Sequence, residues 1–393
     1  MKNSRILTTA SLILLMLSAA FLLHAMIEVS TGTGEQSYAE ESSYIIYRES
    51  NLYKVKNGLT GFVEVSYSNA QDAINWAIQH LDSSDGGIIS LKAGTYLITS
   101  PIILNRKHVT LKGEGQKTTL IVPNSVALSG LYLIKIFSNQ QQGNNTDSVL
   151  ITGLTFWNQQ SQNYNLSCAI YLDLTNLVWF VTVQECEFLN TNAIRTNDAA
   201  GGLQHSTFRD LTVQTPGILR DASGKTYAFE FHNAIDLTFD NIWIYYRSAG
   251  PNPALAGTVG LYIKSDQSSG ITIQNLRCFG ADFGIYVMNS ADTRIVNSIC
   301  DFAGIAYEIM DSPRCELTNC YAHADFNLRY GFHTKGTTTN AVFANCGART
   351  CILGFYNEAS GNCQSYIGCY SDASTWSVGV SKVRGCFNIN DQN

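Results

Sequence analysis

The sequence predicts an all-β solenoid: a parallel β-helix of short strands, closed at its N-terminal end by one amphipathic helix. Three observations predict it. Segments that open on Ala or Gly and then alternate apolar and polar residues return about every 23 residues. Asn returns at a fixed phase behind them. Helical periodicity is convincing once, at Asn69–Leu81, and strand-like runs follow it to the end of the chain.

The N-terminus comes first. Lys2 and Arg5 precede an apolar run from Ile6 to Ile27. Its length is close to the ~20 residues that span a bilayer as a helix. Residues 1–28 therefore read as a retained anchor, or as a signal cleaved after Ala20 or Ala25. Either reading places the rest of the chain outside the cytoplasm, membrane-anchored or secreted. Residues 29–60 read as a polar linker with at most a short strand, and residues 61–393 as the solenoid. Asn144 and Asn165 begin glycosylation sequons.

The helix follows. Ala70, Ala73, Ile74, Ala77, Ile78 and Leu81 make one apolar face, with Asn69 at the N-cap position. Strand-like runs then succeed one another from Ile88, punctuated by Gly, Asn and Ser.

The repeat is clearest from residue 169 onward. Aligned segments begin at Ala169, Ala193, Ala228, Gly260, Gly284, Ala306, Gly331 and Gly354. Their second and fourth positions are mostly apolar, as in Phe229/Phe231, Leu261/Ile263 and Ile285/Val287. One face of each strand is thus buried. Asn241, Asn275, Asn297, Asn319 and Asn345 each lie two residues after an apolar one, at a turn. Asn tolerates the left-handed backbone that such a turn requires. A leucine-rich repeat is excluded, because its L-x-x-L-x-L pattern is absent. A helix over the first rung covers an otherwise open edge.

Composition narrows the function. Charged residues are 14%, well below the ~25% of ordinary soluble proteins, while 45% are hydrophobic. The net charge is −6 and no run of Lys or Arg occurs, which argues against a nucleic-acid partner. Among eleven Cys there is no C-x-x-C pair and no zinc-like Cys/His spacing. Cys186, Cys278, Cys300, Cys320, Cys346 and Cys369 keep phase with the Asn column and read as core thiols. Cys315, Cys351 and Cys363 fit no column and read as disulfide or surface-thiol candidates.

The segment Asn69–Gly115 carries D-A-I-x-x-A-I (Asp72 to Ile78), then Gly86-Gly87, Gly94, Tyr96 and a closing G-x-G at Gly113–Gly115. It resembles the N-terminal cap and first rungs of the pectate-lyase-like superfamily of right-handed β-helices. With the rungs, the resemblance covers about residues 60–390. It implies a right-handed coil and a carbohydrate cleft on the aligned strands. It implies no single activity, because the superfamily contains lyases, hydrolases, epimerases and non-catalytic surface proteins. The polygalacturonase motifs D-D and G-H-G are absent. Thr196–Asp198 has the order TND, and Tyr262–Lys264 has tyrosine where R-I-K has arginine. His323–Phe326 does not match the D-P-H-D of alginate epimerases. No Asp cluster for calcium is legible, so no metal site is assigned and a calcium requirement stays open.

The outward positions of the aligned strands form the candidate site. Glu230, His232, Tyr262, Lys264, Asp282 and Glu308 are the candidate catalytic residues. Tyr171, Arg195, Asn197, Tyr286, His333, Lys335 and Tyr356 are the candidate substrate contacts. Aromatic faces beside charged and amide groups suit sugar rings. In a lyase, Lys264 or His232 abstracts the proton alpha to a uronate carboxyl and Tyr262 protonates the leaving oxygen. In a hydrolase two carboxylates stand ~5–9.5 Å apart, which favours Asp198 with Glu230 or Asp282 with Glu308. Glu230 and Glu308, three rungs apart at ~4.8 Å each, are too distant. The stretch Ser248–Gly257 reads as a loop beside this face. The expected protein is an exported, carbohydrate-active β-helix acting on a polysaccharide, as a lyase or glycoside hydrolase on uronate-rich glycans. The alternative is a non-catalytic cell-surface protein that binds glycan or serves as structure.

Overall fold

Strands too short to stand alone become stable here by stacking on their own repeats. The computed structural model describes residues 42–138, 147–159, 164–216, 221, 224–246, 255–265, 269–360, 364–372 and 382–388. In the first turn Gly87–Leu91, Gly94–Ile98 and Ile102–Leu104 each start one column of parallel strands. Val109–Gly113, Thr119–Pro123 and Tyr132–Phe137 pair above them. The pattern repeats up the chain, giving a right-handed parallel β-helix with three strands per turn.

One inward column shows why the sequence folds this way. Leu111, Ile151, Val183, Phe208, Phe239, Ile273, Ile295, Leu317, Phe343 and Tyr366 are register partners in succession, and all are buried. Aromatic rings stack inside the coil: Tyr307, Phe332 and Phe355 lie 4.7 and 4.8 Å apart and nearly parallel. Each such ring buries ~150–250 Å². The Ala/Gly opening of the front strands also has a packing cause. A Cβ at Gly260 would stand 2.5 Å from Cys278 Sγ, and one at Gly284 would stand 2.6 Å from Cys300 Sγ.

The five predicted Asn residues all adopt φ between 51° and 55°. Their contacts are less uniform than their backbone. Asn319 donates to Asn297 at 3.3 Å, whereas Asn275 and Asn241 donate to Asp240 and Asp210. Cys186, Cys278, Cys300, Cys320, Cys346 and Cys369 are buried free thiols. So are Cys315 and Cys351, which corrects the expectation of surface or disulfide thiols. Cys315 lies between a turn and the strand Glu316–Thr318, its Sγ 3.4 Å from the Ser312 carbonyl oxygen. Cys363 lies outside the described residues. A buried hydroxyl ladder of Ser269, Ser290, Ser312 and Thr338 closes the same corner, with no counterpart in the sequence reading.

The cap is larger than expected. Residues 44–57 are not linker: Tyr44–Glu49 and Leu52–Asn57 form an antiparallel hairpin, and Val63–Tyr67 adds a third strand. Tyr44–Glu49 pairs in parallel with Gly87–Leu91, so the hairpin occupies the open edge of the first rung. Alternation puts Tyr44, Ile46, Tyr53 and Val55 into the core. The helix Ala70–His80 buries Ala70, Ala73, Ile74, Ala77 and Ile78 as predicted. Asn69 stands at its N-cap, but its amide donates to Asp72 rather than its oxygen capping an N–H. The anchor or signal reading (residues 1–28), residues 29–41, the Asn144 sequon and most of the Ser248–Gly257 loop lie outside the described residues. Among the described residues no helix is long and apolar enough to cross a membrane.

Candidate glycan cleft on the front column

The aligned strands beginning at Ala169 make the front column. Outward partners follow one another in register: Lys135, Tyr171, Arg195, Glu230, Tyr262, Tyr286, Glu308, His333 and Tyr356. A cleft of about 550 Å³ opens along the earlier rungs of this column. Tyr132 and Tyr171 form one wall, their rings 4.7 Å apart and 6° from parallel. Lys135 Nζ lies 2.8 Å from Asp173 Oδ2, and Asn197 donates to Asp173 Oδ1 at 3.0 Å. Burial pushes the Asp173 carboxyl up, but hydrogen bonds from Lys135 and Thr175 outweigh it and bring the carboxyl down to about 2. Burial pushes the Tyr171 hydroxyl up to about 12, so it keeps its proton at neutral pH.

The next rungs of the same face hold the acid–base groups. Glu230 is nearly buried between Arg195, at 2.7 Å, and His232 Nε2, at 2.9 Å. This carboxylate fixes the imidazole as the tautomer that donates from Nε2. The other ring nitrogen, Nδ1, is buried, has no hydrogen-bond partner and faces Asp198 at 3.8 Å. Asp198 also takes a hydrogen bond from Lys264 at 2.7 Å, which holds its carboxyl below the usual range. Thr196 Oγ1 accepts the His232 backbone N–H at 2.7 Å and fixes the strand end. Lys264 and Arg195 thus join this cluster, and Asn197 braces the turn by accepting from the Leu174 amide.

Other candidates lie elsewhere. Tyr262 and Tyr286 are buried in an apolar block with Val259, packed by Tyr227, Phe283, Met288 and Met310. Their hydroxyls lie 3.5 Å from the sulfurs of Met288 and Met310, outside the cleft. Burial raises both hydroxyls, that of Tyr286 to about 12. Asp282 accepts from the Gly257 amide at 3.0 Å and from Arg329 at 2.9 Å, so both its oxygens brace structure. Glu308, His333, Lys335 and Tyr356 form a separate cluster beyond the tyrosine block. There His333 lies between Glu308 at 3.1 Å and Glu358 at 3.0 Å, with Lys335 3.8 Å from Glu308. Tyr356 donates to Glu358 at 2.6 Å, and this bond holds the Glu358 carboxyl down.

Sequence reasoning did not name Tyr132 or Lys135. The run Tyr132–Phe137 alternates as the later strands do, and extending the outward column one rung earlier reaches Lys135; Tyr132 pairs with Cys168, ahead of the repeat's opening position, where no outward column points. Among the described residues no group of three or more His, Cys, Asp or Glu side chains is placed to hold a metal ion.

Comparisons with known proteins concern the fold. Residues 64–208 match the family model described as rhamnogalacturonase A/epimerase, pectate lyase-like. No curated protein matches in sequence. The catalytic domain of a GH87 alpha-1,3-glucanase, a variant in complex with tetrasaccharides, superposes with a TM-score of 0.54 at 13% identity. That match covers 81% of this chain and 67% of the glucanase chain. An alginate lyase from Paenibacillus sp. gives 0.48 at 13% identity over 80% of this chain and 97% of the lyase. ORF18 of Geobacillus virus E2 gives 0.46 at 15% identity over 81% of this chain, which spans 56% of that protein.

Proposed function

We propose that this chain, a right-handed β-helix of the pectate-lyase-like superfamily, holds a polysaccharide strand in the front cleft and cleaves it by proton abstraction. One observation carries the reading. A carboxylate-oriented imidazole and an ionised carboxylate, His232 and Asp198, face a cleft walled by the stacked Tyr132 and Tyr171. The glucanase domains of the same fold hold tetrasaccharides, which supports a glycan as the ligand class.

The charge states favour elimination on uronate-rich glycans over hydrolysis. A hydrolase needs one protonated carboxylic acid. Asp173 and Asp198 are both held below the usual carboxylate range, and Glu230 is paired with Arg195. In an elimination, His232 takes the proton alpha to the uronate carboxyl on Nδ1, the ring nitrogen without a hydrogen-bond partner, and Asp198 at 3.8 Å stabilises the imidazolium that forms. The electron pair forms the new double bond as the glycosidic C–O bond breaks, and Tyr171 returns a proton to the leaving oxygen. Lys135 and Arg195 line the cleft with positive charge for the uronate carboxylate. Export rests on the N-terminal sequence, with Lys2 and Arg5 before the apolar run.

A binding-only role is the second reading. It is favoured by the pairing of each carboxylate in the cleft with a cation already on the protein. The test is incubation of the full chain with polygalacturonate, alginate and α-1,3-glucan, with and without calcium, following new reducing ends and the ultraviolet absorbance of unsaturated products. Both signals on a uronate polymer are expected. Reducing ends without unsaturation would replace elimination by hydrolysis. Retention without turnover would leave binding, and neither binding nor turnover would refute the glycan reading.

A further inference from the structure

The second column of strands, begun by Gly94–Ile98, carries an aromatic stripe on its outward face, outside the front column. Trp243 and Tyr245 flank the inward Ile244, and both are about half exposed. Phe279 is the register partner of Tyr245, with ring centroids 6.1 Å apart. Phe302 lies 5.9 Å from Phe279, and His323 lies 6.1 Å from Phe302. The rings climb about one rung at a time.

Phe302 adds an independent observation. Its φ is 54°, a left-handed conformation in which a bulky aromatic is an outlier. The preceding rung has Gly280 at the same turn, with φ 76°. The backbone therefore suits a residue without a side chain, and the phenyl ring is 38% exposed rather than packed in the core. The coil imposes this backbone, since Asn190, Thr215 and Thr350 at the same corner are left-handed too, but at Phe302 the position carries a large ring turned to solvent.

We infer that this stripe is a second glycan-contact surface, on which a strand of pyranose rings lies along the solenoid axis. The inference takes its ligand class from the proposed function but uses none of the cleft residues. The polar groups between the rings choose the occupant. Arg277 stacks on Trp243 at 4.8 Å, and Asp301 stands between Phe279 and His323 in register. The core of a protein–protein interface is depleted of charge. Sugar rings instead pair C–H faces with aromatics and hydroxyls with charged groups.

Affinity electrophoresis of the full chain through gels containing polygalacturonate, alginate or α-1,3-glucan tests the inference. Trp243→Ala with Phe302→Asn removes two rings, and Asn suits the left-handed turn, so the fold is kept. A thermal midpoint at or near that of the wild type checks this. The double variant is expected to raise the apparent Kd for a retarding polymer by at least about tenfold. Tyr171→Ala is expected to weaken retardation separately, and to leave the stripe's share. Equal retardation of wild type and double variant overturns the inference. If Tyr171→Ala alone matters, the stripe fails and the cleft reading stands. If no polymer retards the wild type, both fail. Self-association of the wild type that the double variant abolishes identifies a second copy as the occupant and also overturns it.

Discussion

Asp173→Asn tests the charge balance of the cleft with almost no change of shape. Lys135 Nζ is 2.8 Å from Asp173 Oδ2, and the two side chains are 23% and 18% exposed. The carboxyl, 3.8 in an ordinary setting, is brought to about 2: burial pushes it up, but hydrogen bonds from Lys135 and Thr175 overcome that. Nearly two pKa units correspond to ~2.5 kcal/mol without screening. The pair lines an open cleft, so water, salt and side-chain entropy reduce the stabilisation to ~1 kcal/mol. The sign follows from linkage. The folded state binds fewer protons here than the unfolded chain, so the stabilisation is fully present above pH ~4. It is about half gone by pH 3 and lost below pH 2. Thermal midpoints of wild type and variant at pH 7 and pH 3 are the assay. The variant is expected to melt roughly 1–3 °C lower at pH 7, with the gap about halved at pH 3. A gap unchanged between the two, or an Asp173 carboxyl that titrates near 4 by carbon NMR, refutes the argument.

His232→Ala and Asp198→Asn are each expected to lower turnover by ~10²–10⁴ while gel retardation changes only a few-fold, because both groups serve the proton transfer rather than hold the sugar. Steady-state rates beside affinity electrophoresis separate the two effects. Phe332→Ala opens a cavity between Tyr307 and Phe355 and is expected to destabilise the coil by ~3–5 kcal/mol, read by denaturant unfolding. Of the described cysteines, Cys386 is the one more than marginally exposed, so brief thiol labelling of the native protein followed by peptide mass spectrometry should mark it ahead of the rest.

The inward half of this fold is legible because burial repeats with the coil. Phe239, Ile273, Ile295, Leu317 and Phe343 were placed in phase from sequence, and they are consecutive register partners. The front-column register from Tyr171 to Tyr356 was legible for the same reason. The hairpin Tyr44–Asn57 was not, because it occurs once and its alternation is short. The hydroxyl ladder was hidden as well: Ser and Thr at turns look alike whether they face water or close a corner.

The outward half obeys a different rule, and there the sequence reading divided. Alternation says that Glu230, Tyr262, Tyr286 and Glu308 point away from the core; it does not say that they reach solvent. All four are less than 10% exposed. Around Glu230 the neighbours are Arg195 and His232, which keep a charged site beside the cleft. Around Tyr262 and Tyr286 they are Phe283, Met288 and Met310, which make a second apolar core on the outer face. Met288 and Met310 occupy adjacent rungs between Lys264 and Lys335 in register. Two methionines on adjacent rungs beside two tyrosines in edge-to-face contact are better explained as mutual burial than as an open sugar platform. That block divides one predicted surface into two charged clusters, and only the cluster nearer the N-terminus borders the cleft. An acid–base role for Glu308 or His333 would therefore require the strand to cross the tyrosine block. Cleft variants and a Glu308→Gln variant should separate cleanly: turnover falls with the first and holds with the second.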